Sequence, residues 1–211
     1  MTIRGLYLCE GSSDTGLRFH IEAIAAEAGR EVKVDTPDLA RLPQRPGNSV
    51  KDKLRAVQWL SDGKQTYDLV IVHRDADREP PENRRREIAE AVAEVSPGLA
   101  HVPMIPVRML EAWLLLDHLA IREVAGNPRG RVQLDLPNVG GAESVANPKA
   151  QLKQAIATAS EERGQRLHKL QTRFPANRAR LLQMLDREGP VKQLPSWQSF
   201  TRDLHEALSH H

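Results

Sequence analysis

A chain of 211 residues, 40% hydrophobic but only 4% aromatic, is long enough for one domain with an appendage and calls for an aliphatic, Ala-rich core. A net charge of +2 is too mild to demand a nucleic-acid partner, and the lone Cys9 excludes an internal disulfide and suits a reducing cytosol. Met1-Thr2-Ile3-Arg4 has no signal-peptide pattern, and the most apolar stretch, Ala112 to Ile121, falls far short of the ~20 residues that span a bilayer. The expectation is a cytoplasmic protein with no membrane partner.

In chain order, residues 4–9 read as a strand, and Glu10-Gly11-Ser12-Ser13-Asp14 follows it directly. Leu17, Ile21, Ile24, Ala25 and Ala28 then recur at helical spacing, which predicts a helix over 15–28 capped by Ser13 or Asp14 and ended by Gly29. Val32-Lys33-Val34 alternates like a short edge strand. Pro37, Pro43, Pro46 and Gly47 make 36–48 a loop, and Asn48 or Ser49 caps a helix carrying Val50, Leu54, Val57 and Leu60. The uninterrupted apolar run of 68–73 suits a parallel strand covered on both faces. Asp75-Ala76-Asp77 follows that strand. Residues 82–95 form a helix with Ile88, Val92 and Val95 inward and arginines outward. A fourth strand over 101–107 carries Pro103 and Pro106, and a strongly apolar helix starts near Met109.

Strands alternating with helices predict an α/β fold, a mainly parallel sheet of about four strands with helices on both faces, over residues 1–125. Residues 126–148 are rich in Gly, Pro and Asn, and Val139-Gly140-Gly141 there lacks P-loop spacing and reads as a flexible connector. Helices over 148–163, 175–187 and 196–208 complete a loop-and-helix extension, 126–211, expected to pack on the same domain.

Right-handed crossovers put every strand's carboxyl end on one edge, where open α/β sheets bind ligands. Glu10 and Asp14 follow one such end, and Asp75 and Asp77 another. Carboxylates gathered there repel one another unless a hard cation sits between them, and oxygen-rich sites favour Mg²⁺ or Mn²⁺. A metal-dependent phosphoryl-transfer site is therefore the leading expectation. Taken alone, Asp75-x-Asp77 reads equally as a solvated turn, and Asp14 as a helix cap. His73, just before the Asp pair, is placed to hydrogen-bond a carboxylate. Cys9 and Trp113 read as core residues.

Glu10-x-x-x-Asp14 with Asp75-x-Asp77 resembles the TOPRIM domain of topoisomerases, primases and several nucleases. The phrase from Val107 to Asp117, together with Asn147-Pro148-Lys149 before a helix and Glu10-Gly11-Ser12-Ser13-Asp14, is similar to the DUF4276 family of small prokaryotic TOPRIM-like proteins. The resemblance covers about residues 3–155. A comparison with the OLD-family nucleases carries over Glu10, Asp14, Asp75 and Asp77, and adds Glu111 as a later acidic residue and Lys149 as the lysine.

The resemblance implies a divalent-metal-dependent nuclease or related phosphotransferase, in a prokaryotic defence or DNA-processing setting. Asp14, Asp75 and Asp77 would hold metal, Glu10 would hold metal or act as general base, Glu111 would complete a second metal site, and Lys149 would neutralise phosphate charge. Arg74, Arg78, Arg84, Arg85 and Arg86 surround the Asp pair and would guide a phosphate backbone; the alternative is a solvated helix face paired with Glu79, Glu82, Glu87 and Glu90. Two rival readings stand: a non-catalytic nucleic-acid- or nucleotide-binding module, and an effector subunit that needs a partner such as an ATPase.

Overall fold

A computed structural model describes residues 2–60 and 66–211. The chain divides into two compact units, residues 1–105 with 199–211, and residues 106–198. The fold is α/β, as expected.

In the first unit four strands, β1 (Ile3–Leu8), β2 (Val32–Asp35), β3 (Leu69–His73) and β4 (Ala100–Met104), form a sheet in the order β2-β1-β3-β4. Every pairing is parallel. Helices α1 (Arg18–Glu27), α2 (Val50–Leu60) and α3 (Pro81–Val95) connect the strands. β3 is buried at all five positions because strands flank it and helices cover it. β2 alternates buried and exposed residues, as an edge strand does. β4 is the other edge, so Pro103 breaks no interior ladder there.

Side chains alternate across a strand, so Leu6 and Leu8 of β1 share a face with Val70 and Val72 of β3. These pack with Val50, Leu54 and Val57 of α2 and with Ile88, Ala91 and Val92 of α3 in one aliphatic cluster. At roughly 25 cal/mol per Å² of apolar surface, burying each such side chain contributes about 1.5–3 kcal/mol. α2 starts where the sequence placed it: the Ser49 hydroxyl accepts from the Asp52 amide at 3.1 Å.

The second unit differs more from expectation. The apolar run after Met109 is two short helices, α4 (Glu111–Leu114) and α5 (His118–Val124). α4 closes at Leu115, and Asp117 caps the start of α5, its carboxylate accepting from the amides of Leu119 and Ala120. Val139-Gly140-Gly141 is not a structureless connector; it forms a single helical turn, α6 (Val139–Ala142), capped by Asn138. Then come α7 (Pro148–Ser160), α8 (Gly164–Thr172) and α9 (Phe174–Met184). The last helix, α10 (Pro195–Ser209), begins in the second unit and ends in the first. Trp113 is a core residue as expected: its Nε1–H donates to Ser196 Oγ at 2.8 Å, and its ring meets Trp197 edge-on at 5.0 Å.

Among the described residues, no helix is long and apolar enough to cross a membrane.

Candidate metal centre

In a sheet ordered β2-β1-β3-β4, the chain leaves β1 toward one edge and later returns to the other side of β1 as β3. The carboxyl ends of β1 and β3 therefore flank the switch point, where open α/β sheets form a crevice. Register brings the acidic residues to it. Leu8 pairs with Val72, so Glu10 lies two residues beyond that level on one strand and Asp75 three beyond it on the other.

The two acidic stretches meet. The Asp75 amide donates to Glu10 Oε2 at 2.5 Å. His73 lies between carboxylates, with Nε2 3.2 Å from Asp75 Oδ1 and Nδ1 3.4 Å from Asp14 Oδ2. One donor atom from each of Glu10, His73 and Asp75 lies within 4.8 Å of the other two, a group able to hold a metal ion. Two carboxylates and a neutral imidazole are donors that a divalent cation accepts.

Asp14 is buried, and its carboxylate meets the Gly11 amide, the Ser13 hydroxyl and His73. It sits inside a 3₁₀ turn, Ser12–Leu17, whose cap position is Gly11 and not Ser13 or Asp14. Its Oδ2 reaches back to accept from the Gly11 amide at 3.0 Å. The carboxylate thus fixes the turn and faces His73 at once.

Burial alone would lower the His73 pKa, since charging an imidazole away from water is costly. The hydrogen bonds to Asp14 and Asp75, and their charges, outweigh it and push the imidazole up to about 9. Nδ1 also lies 3.5 Å from the Glu10 amide. It accepts that hydrogen only when the ring is neutral and donates to Asp14 when protonated, and the raised pKa favours the second arrangement.

Protein cations surround the carboxylates. Arg74 Nη1 is 3.5 Å from Glu10 Oε1, and Arg74 Nε is 3.4 Å from Glu87 Oε1. Arg84 pairs with Glu87 at 2.9 Å and with Asp77 at 3.5 Å, and it donates to the Asp75 carbonyl at 3.2 Å. Lys53 Nζ donates to the carbonyls of Cys9 and Glu10 at 2.8 and 2.9 Å, tying α2 to the end of β1. Burial and then the Arg74 charge lower the Lys53 ammonium, with Glu10, Cys9 and Asp14 opposing them.

Asp77 stands apart from the metal-competent group. Its backbone is left-handed at φ 55°, its side chain is 48% exposed, and it pairs with Arg84 at 3.5 Å. Arg85 pairs with Glu82 and Asp203, and Arg86 donates to Asn83. Arg78 is exposed. Arg84 and Arg85, both half-buried, form pairs with Glu87 and Glu82 along the helix.

In the second unit Glu111 is buried, and it accepts from Arg178 Nε at 2.8 Å. Lys149 is exposed on the first turn of α7. Cys9 is mostly enclosed; burial first, and the Asp14 charge second, push its thiol up to about 12, which leaves it protonated and unreactive.

Sequence reasoning missed Lys53 and Glu87. Lys53 lies on the helix opposite a β1 terminus 43 residues away, and no local pattern announces that. Glu87 entered only as one of four acids expected to pair with the arginines of a solvated helix face. Across protein-family models, curated proteins and solved structures, no match to the chain is found.

Proposed function

We propose that the protein is a divalent-metal-dependent nuclease or related phosphotransferase of the TOPRIM type, acting on nucleic-acid phosphodiesters with Mg²⁺ or Mn²⁺. One observation carries the reading: Glu10, His73 and Asp75 converge at the carboxyl ends of β1 and β3, beside the switch point of a parallel sheet.

A bound divalent cation would supply charge neutralisation for phosphoryl oxygens. Glu10 and Asp75 would hold it through their carboxylates. His73 orients Asp75 and Asp14 through its two ring nitrogens. Arg84 fixes the Asp75 backbone and faces Asp77, where a phosphate approaching the site would meet it. Arg78, exposed at the same turn, adds attraction for a polynucleotide. Glu111 stabilises the second unit through Arg178, and the metal role assigned to it by resemblance is not part of this reading. Lys149 remains a proposed phosphate contact by resemblance alone.

The test is a cleavage assay on a panel of DNA and RNA oligonucleotides with Mn²⁺ or Mg²⁺. Asp75→Ala abolishes cleavage while the circular dichroism spectrum is unchanged. Cleavage by Asp75→Ala at the wild-type rate contradicts the assignment. A second reading, a binding module without catalysis, rests on Arg74, which already neutralises Glu10. Metal-independent oligonucleotide binding with no cleavage by any metal would select it.

A further inference from the structure

We propose that the cavity beside the carboxyl ends of β1 and β2 is a mononucleotide subsite, seating one nucleoside monophosphate with its phosphate held by Arg45, Asn48 and Lys53. That the phosphate faces Glu10 rests on the metal reading above; the subsite itself does not.

The cavity has a volume of about 460 Å³ and is formed by the ends of β1 and β2, the loop over 36–48 and the start of α2. That volume falls in the range of roughly 300–1,000 Å³ found for small-molecule sites. Glu10 belongs both to this wall and to the metal-competent group. A ligand in the cavity is therefore next to the proposed reaction centre.

The lining is short of partners in a way that suits a phosphate. Lys53 spends two of its three N–H donors on the carbonyls of Cys9 and Glu10, which leaves the third. Arg45 and Asn48 line the cavity and make no ion pair or hydrogen bond among the described residues. Thr36 Oγ1 is buried with no hydrogen-bond partner. An orphaned hydroxyl is costly, and a polar ligand relieves it. The one other acid of the wall, Asp38, is engaged with the Ala40 amide and with Arg41.

The opposite chemistry is also present. Leu8, Pro37 and Leu39 give the cavity an apolar wall against which a base can lie. A bare phosphate would leave that wall wet, and a bare nucleoside would leave the cations unpaired. A nucleoside monophosphate satisfies both.

The experiment is calorimetric titration of the full chain with adenosine 5′-monophosphate and with thymidine 5′-monophosphate. Adenosine and inorganic phosphate are the controls, each with and without Mn²⁺. Both nucleotides are expected to bind at least about tenfold more tightly than either control. Arg45→Ala and Asn48→Asp, both at exposed positions, weaken nucleotide binding by about tenfold or more and leave Mn²⁺ binding unchanged. Nucleotides that bind no better than inorganic phosphate overturn the subsite, even if Mn²⁺ binds and cleavage occurs. Nucleotide binding that both variants leave intact overturns it as well. Nucleotide binding that both variants weaken, in a protein that takes up no Mn²⁺, upholds the subsite and removes the metal reading.

Discussion

At the scale of single residues, His73 decides the electrostatics of the site. It is buried, and its pKa rises from 6.5 to about 9 because the bonds and charges of Asp14 and Asp75 outweigh burial. A group whose folded pKa is raised stabilises the fold fully below its unfolded value, and that stability is lost as pH climbs through the folded value. The window is therefore about pH 6.5 to 9, and the linkage is worth on the order of 3 kcal/mol. Unfolding by urea at a series of pH values should show stability falling across this window, and His73→Gln should flatten the slope. An equal slope in the variant would show that the imidazole is not the titrating group. Glu10 and Asp75 were legible in the sequence because each closes an apolar run. The pairing of His73 with Asp14 was not, because it depends on register between strands more than sixty residues apart.

At the scale of elements, two helices of the second unit share a buried ion pair. Glu111 on α4 and Arg178 on α9 are both almost fully enclosed, 2.8 Å apart. Glu111→Ala strips Arg178 of this counter-charge and should cost about 3–5 kcal/mol, whereas the joint change to Met at both positions should cost far less. Thermal unfolding of the two variants checks the difference; equal losses would argue against charge burial as the cause. α7 begins at Asn147, whose side chain accepts from the Ala150 amide, so Asn147→Ala should lose about 1 kcal/mol in the same assay.

The element pattern was readable wherever an apolar face exists. α1, α2 and α3 each bury such a face, and all three were foreseen. α8, which buries no residue fully, was not foreseen. Asp117 and His118 visibly interrupt the apolar run, but that they divide it into two helices was not foreseen. There a single carboxylate caps a new helix, and that local bond overrides continuity.

At the scale of the whole molecule, sheet order does what local sequence does not. Two acidic stretches more than sixty residues apart meet only because β1 and β3 are neighbours in a parallel sheet. Alternation of strands and helices predicted the parallel sheet.

The meeting of carboxylates also brings competition. Arg74 lies 3.5 Å from Glu10, so it opposes any cation bound there. Removing it in Arg74→Ala should tighten Mn²⁺ binding at least about fivefold, since a second cation a few ångströms away costs about 1 kcal/mol even in water. Weaker Mn²⁺ binding in this variant would mean that Arg74 builds the centre and does not compete with it.

The most direct test of the metal centre is Mn²⁺ uptake followed by electron paramagnetic resonance, which reads the free ion. Wild-type protein is expected to quench the free-Mn²⁺ signal saturably, and Glu10→Gln with Asp75→Asn to leave it nearly untouched while both chains stay folded. Equal quenching by the wild type and the double variant would contradict a cation site built on Glu10 and Asp75.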